Sequence, residues 1–147
     1  MKLSPDPYNL NRFVLAQRDV YAQALGELQA GRKRTHWMWY IFPQLQGLGR
    51  SDIAREFAIS GLDEASAYLR HSVLGPRLIE CSEAVLEVEG RSAREIFGSP
   101  DDLKLRSSAT LFAAVSADDS VFHRVIETYF RGEQDPPTRE GIEPHDA

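Results

Sequence analysis

The stretch NLNRFVLAQRDVYAQALGELQAG, from Asn9 to Gly31, decides the fold class. Leu10, Phe13, Val14, Tyr21, Ala24, Leu25 and Leu28 recur at steps of three and four, the spacing that lays apolar side chains along one face of a helix. Asn9 stands where a cap is needed and Gly31 where the helix should stop. Gln17 interrupts the stripe one turn beyond Phe13 and one turn before Tyr21. Helical geometry therefore turns its amide toward the core, where it needs a hydrogen-bond partner.

The same grammar repeats along the chain. Ser51 is placed to cap a short helix with Ile53, Phe57 and Ala58, and Asp63 another through Tyr68 and Leu69. Pro76 suits a first helical position, followed by a stripe of Leu78, Ile79, Ser82, Val85 and Leu86 that Gly90 ends. Ser92 and Glu95 have capping-box spacing ahead of Ile96 and Phe97. Ser99-Pro100-Asp101-Asp102 opens a helix running to about Val115, and Asp119 one that Gly132 stops. No segment alternates with period two long enough for a strand, and no Asn-Gly or Asp-Gly hairpin turn occurs. The expectation is an all-α fold, an irregular orthogonal bundle or short superhelical stack of about seven helices, with residues 1–131 as one domain. From residue 132 to 147 there is little to bury, so a mobile acidic tail is expected.

Composition narrows the function. The 147 residues, 42% hydrophobic and 27% charged, suit one globular domain. The longest apolar run, Trp37 to Phe42, is far short of the roughly 20 residues of a bilayer span. Cys81 has no partner cysteine, and Met1 to Asp6 lack the apolar core of an export signal, so a cytoplasmic protein is expected. The net charge of -5 divides into +4 over residues 1–50 and -9 over the rest, and -4 of that lies beyond Gly132. Nucleic acid is therefore not an expected partner, and the basic run Arg32-Lys33-Arg34 is accounted for as cations at a helix end.

Three segments carry candidate chemistry. His36-Trp37-Met38-Trp39-Tyr40-Ile41-Phe42-Pro43-Gln44 holds both tryptophans. Its packing account is a central core segment; its functional account leaves His36, Trp37, Trp39, Tyr40 and Gln44 to line a cleft, with a proton donor beside aromatic planes. Gly47-Leu48-Gly49-Arg50-Ser51 is either a plain loop capped by Ser51 or an anion site with Arg50 as its guanidinium. In Asp101 to Phe112, apolar residues spread around the helix, which puts Lys104 and Arg106 at risk of burial. Their partners are then local acids, Asp101 for Lys104 and Asp102 for Arg106, or an anion in a pocket that also offers Ser107, Ser108 and Thr110.

Metal and cofactor motifs are absent: His36, His71, His123 and His145 lack ligand spacing, and there is neither a Gly-x-Ser-x-Gly elbow nor a Walker lysine. No metal and no cofactor is expected. Cys81, beside Glu80 and Glu83, reads as a packing residue rather than a nucleophile.

Several stretches taken together, Asp6-Pro7-Tyr8-Asn9-Leu10, Arg12-Phe13, Ala16-Gln17, Gly31-Arg32-Lys33, His36 to Gln44, Gly47-Leu48-Gly49, Leu74-Gly75-Pro76-Arg77 and Asp101 to Ser108, resemble a bacterial family of unknown function whose members are often labelled calpastatin. The resemblance runs from about Asp6 to Gly132. It implies a compact all-helical cytoplasmic fold with no established activity. The label implies a calpain inhibitor, a disordered and repetitive chain, whereas this one is periodic and rich in aromatics.

Two functions follow. In the first, a small anionic ligand (nucleotide, phosphate or carboxylate metabolite) binds in a polar-aromatic cleft of Gln17, His36, Trp37, Trp39, Tyr40, Gln44, Arg50, Lys104, Arg106, Ser107 and Ser108, with catalysis left open. The second is a protein-protein interaction module without catalytic activity. Monomer and homodimer are both compatible with the sequence.

Overall fold

The computed structural model describes residues 5–142. Ten helices follow in order: α1 (Asn11–Gln17), α2 (Tyr21–Gln29), α3 (Met38–Ile41), α4 (Asp52–Glu56), α5 (Leu62–Arg70), α6 (Leu74–Glu87), α7 (Ala93–Phe97), α8 (Asp101–Ala113), α9 (Val121–Phe130) and α10 (Pro136–Ile142). Among the described residues there is no strand, only an isolated bridge between Leu45 and Ile59, so the chain is all-helical as expected. The count exceeds seven because the first long helix is two, and because α3 and α10 were not foreseen.

The break falls at Arg18 to Val20. Val20 N–H bonds back to Gln17 O at 3.1 Å and the chain turns before α2 begins. Caps also differ from expectation at three starts. Asn9 takes a left-handed backbone (φ 51°), and it is the Asp6 carboxylate that accepts from Leu10 N and Asn11 N. Asp63 lies inside α5, whose N-cap is Gly61, and Ser120 rather than Asp119 caps α9, accepting from His123 N. Ser51 and the reciprocal Ser92 and Glu95 box cap α4 and α7 as their spacing implies.

Helix α8 is the axis of the bundle. Leu105 and the run from Ser107 to Ala113 are all buried, with α5, α7, α9 and α10 packed around them. This explains a sequence with no clean polar face. A chain of rings crosses the core beside it. Phe13 meets Phe57 and Tyr68 at 5.5 and 5.2 Å between centroids, Tyr68 meets Phe112 at 5.3 Å, and Phe112 meets Phe122 at 5.7 Å. Such tilted and edge-on contacts each add roughly 1 kcal/mol beyond the area they bury. Cys81 is fully buried, and burial pushes its thiol up to about 12, so it is a packing residue.

The tail expected from residue 132 is a packed element over its described part. Asp135 Oδ2 accepts from Thr138 N and Thr138 Oγ1, which caps α10, and Thr138 is itself buried. Asp135 N–H donates to Thr110 Oγ1 at 3.0 Å. A Cβ on Gly141 would come within 2.5 Å of Leu45, so α10 lies close against the segment after α3. Residues 143–147 of the expected tail, and His145 with them, lie outside the described residues.

Candidate functional site

A cleft of about 400 Å³ opens where the segment after α3, the glycine loop before α4, the first turns of α8 and the start of α10 meet. Its walls are the Trp39 indole, Leu48, Ala54, Pro100, Leu103 and Pro137. Its polar groups are Gln44, Arg50, Lys104, Ser107 and Asp135. Leu103 is half exposed at the rim, an unusual place for leucine in a helix otherwise so deeply packed.

Lys104 is held rather than free. Its ammonium stands 3.3 Å from Asp101 Oδ1 and 5.4 Å from the centroid of the Trp39 ring, so a carboxylate and a π face fix it at the cleft edge. Asp101 gives its other oxygen to Lys33 at 3.0 Å. Lys33 also donates to Thr35 O at 2.6 Å and lies 5.1 Å from the centre of Trp37. One carboxylate thus serves two ammonium groups, and the row keeps a net positive charge.

Gln44 is fixed through its backbone. Its carbonyl accepts from Ile59 N, and Gln46 N donates to Ile59 O, both at 2.8 Å, which pins the segment leading into the glycine loop. The Gln44 side-chain amide and the Arg50 guanidinium have no partner among the described residues. Ser51 Oγ is used as the cap of α4, accepting from Ala54 N at 3.2 Å. A Cβ on Gly49 would fall 2.5 Å from the Ala54 Cβ, so glycine lets the loop lie against α4. Ser51 thus serves as the cap its spacing implies, and Arg50 is the charged side chain that the loop brings to the cleft.

The structure brings together Trp39, Gln44, Arg50, Lys104 and Ser107, and disperses the other six candidates. Gln17 is buried in the core, where its amide donates to Tyr40 O at 2.7 Å and Tyr68 Oη at 3.2 Å and accepts from Arg77 at 3.3 Å. It ties α1 to α3, α5 and α6. Trp37 is buried too, donating Nε1–H to Glu27 Oε1 at 3.0 Å. Tyr40 packs edge-on to Phe57 at 4.8 Å, outside the cleft lining. His36 is exposed and precedes the four-residue α3, so it shares no helical face with Tyr40. Ser108 is buried inside the bundle.

Arg106 is the sixth. It turns away and donates to Glu133 O at 2.7 Å and Gln134 O at 2.9 Å, anchoring the strand of chain that leads into α10. The reason is helical geometry: positions two apart project roughly 200° from one another, so Lys104 and Arg106 cannot face one hollow. With its guanidinium held by these carbonyls, Arg106 makes no pair with Asp102 despite their helix-neighbour register, and the buried Asp102 Oδ1 has no hydrogen-bond partner among the described residues.

The Asp101 and Lys104 pair that helix register offers is formed, whereas sequence reasoning missed Lys33, Asp135 and Pro137. The last two carried a readable signature, since Asp135-Pro136-Pro137-Thr138 is an acid at a cap followed by proline in the first turn. Glu27 was missed as well. It accepts from Arg34 N, Thr35 N, Thr35 Oγ1, Trp37 Nε1 and Gln23 Nε2, and so shapes the loop that carries Lys33. Burial opposes its ionisation, but these donors outweigh burial and hold the carboxyl at about 2. Among the described residues, no group of histidines, cysteines and acids is arranged to hold a metal ion. No helix there is long and apolar enough to cross a membrane.

Comparison with known proteins adds a lineage but no activity. A family model described as a protein of unknown function, DUF1810, matches residues 7–142. The crystal structure of the conserved hypothetical protein Rv1873 from Mycobacterium tuberculosis is 52% identical, covers 93% of this chain and 98% of its own, and superposes with a TM-score of 0.92. Neither description carries the calpastatin label. No curated protein matches the chain.

Proposed function

With the chain belonging to the DUF1810 family of unknown function, we propose that it binds a small anionic ligand with a planar or apolar body in the cleft between Trp39 and Leu103. The observation that carries this reading is Arg50: a guanidinium without a protein partner among the described residues lines the same cleft as Lys104 and the unpartnered Gln44 amide. A planar fork beside a fixed ammonium recognises phosphate or carboxylate oxygens. Trp39 and the apolar rim offer a surface for the rest of the molecule. Gln44 supplies a donor and an acceptor to orient it.

The interaction-module reading has less behind it. Among the described residues, the large exposed apolar ones are Leu15, Ile79 and Leu103, on three different helices, and Leu103 already belongs to the cleft rim.

The test is a thermal-shift panel of nucleoside monophosphates, sugar phosphates and dicarboxylates on the full chain. At least one class is expected to raise Tm for the wild type and for Arg124→Ala, whose cation lies outside the cleft and its walls, but not for Arg50→Ala or Lys104→Met. Tryptophan emission should respond to the same compound in Trp37→Phe and be silent in Trp39→Phe. No shift across the panel, or a shift that survives both cleft substitutions, overturns the reading.

A further inference from the structure

The cleft does not end at Arg50. Beyond the ridge of Gly49 and Arg50 lies a second, open hollow of about 580 Å³, which these two residues share and which Gln46, Gly47, Arg55 and Ala58 complete. Arg55 is exposed and has no partner among the described residues. Asp52 stands three positions before it in helix-neighbour register, yet the pair is not formed.

The charges around the two hollows do not balance. On the cleft side Lys104 and Arg50 face Asp135, whose Oδ2 is occupied in capping α10, while Lys33 and Asp101 behind them offset one another. Arg55 adds a further cation across the ridge. The ridge itself is low, because Gly47 (φ 91°) and Gly49 carry no side chains to stand between the guanidinium groups and a ligand lying across the backbone. A monoanion would answer one side of it only.

We infer that the ligand is a nucleotide bearing a diphosphate, its base against Trp39 and its two phosphoryl groups crossing the Gly49 and Arg50 ridge from Lys104 toward Arg55. This rests on the reading of the cleft given above and names the ligand class for it. Arg55 is then the residue that distinguishes one phosphate from two, and Arg50 serves both.

Calorimetric titration of the full chain with adenosine and uridine mono- and diphosphates, in metal-free buffer at fixed ionic strength, tests it. For at least one base the diphosphate should bind about tenfold more tightly than the monophosphate, the size of one charge-assisted contact. In Arg55→Ala that advantage should fall to within about twofold while monophosphate affinity stays unchanged. Arg124→Ala, which removes an equal charge but lines neither hollow, should keep it. If monophosphates bind through Arg50 and Lys104 but the diphosphate gains nothing, or its gain survives Arg55→Ala, the inference fails and the cleft reading stands. If none of the four nucleotides binds, the inference fails, and the outcome of the sugar phosphates and dicarboxylates then decides the cleft reading separately.

Discussion

Lys33 and Lys104, seventy-one positions apart in sequence, share the carboxylate of Asp101, at 3.0 and 3.3 Å. The two ammonium groups are not equally placed. The Lys33 side chain is 6% exposed and the Lys104 side chain 28%. Removing the shared charge leaves Lys33 buried without its counter-ion, whereas removing Lys104 leaves a satisfied Lys33 and Asp101 pair. Asp101→Asn is therefore expected to lower stability by about 1–2 kcal/mol and Lys104→Met by less than about 1 kcal/mol, read from urea midpoints at neutral pH. Equal losses would mean that the shared carboxylate does not hold the row together.

Glu27 provides a pH signature. Its carboxyl is held at about 2 against an ordinary 4.5, because the donors of Arg34, Thr35 and Trp37 favour the charged form over the opposing effect of burial. A depressed acid binds its proton more readily when unfolded. Its stabilisation is thus complete above about pH 4.5 and is lost as pH falls through 4.5 toward 2. Glu27→Gln keeps the shape and removes this titration. It should cost roughly 1–2 kcal/mol at pH 7, and the difference from wild type should shrink as pH falls through that window. A difference constant from pH 6 to pH 3 would contradict this assignment.

What the sequence disclosed and what it hid divide along physical lines. Helical class was readable because period and caps are local, as at Ser92 and Glu95. The split between α1 and α2 was not, because Leu10, Phe13, Gln17, Tyr21, Ala24 and Leu28 keep one phase straight through the turn at Arg18 to Val20. For Gln17, period correctly predicted an inward amide needing partners but could not say that all of them would be protein. At the site, Trp39, Gln44, Arg50, Lys104 and Ser107 were named in advance, yet Lys33 arrives through a tertiary contact that no local pattern encodes, and the cap spelled by Asp135-Pro136-Pro137 does not say that α10 docks at the cleft. Arg106 is different. Its divergence from Lys104 follows from a separation of two on a helix, so that misplacement was avoidable.

Arg106 instead governs the wall of the cleft that α10 supplies. Its guanidinium holds Glu133 O and Gln134 O just before Asp135, which caps α10 and lines the cleft with Pro137. Arg106→Ala should release this segment without unfolding the bundle. The expected result is faster amide exchange confined to residues 135–142, a loss of roughly 1–2 kcal/mol of local stability, and little change across α6 and α9. Exchange that accelerates uniformly would place Arg106 in the global core instead.

The same substitution at two helical glycines should act with opposite sign. Gly75 sits in the first turn of α6, where a Cβ would lie 2.1 Å from the Leu69 carbonyl oxygen and 2.9 Å from its carbon. Those are backbone atoms of α5 and cannot rotate aside, so Gly75→Ala must push two packed helices apart. A loss of about 3 kcal/mol or more is expected, seen as a large fall in Tm or as failure to fold. Gly26 lies within α2, exposed, with nothing within 4 Å of its added Cβ. There alanine only restricts the unfolded chain and favours the helix, so Gly26→Ala should raise stability by about 0.5–1 kcal/mol. If Gly75→Ala is tolerated as well as Gly26→Ala, the close approach of α6 to the end of α5 is not present in solution, and the packing of α5 and α6 beside α8 would have to be redrawn.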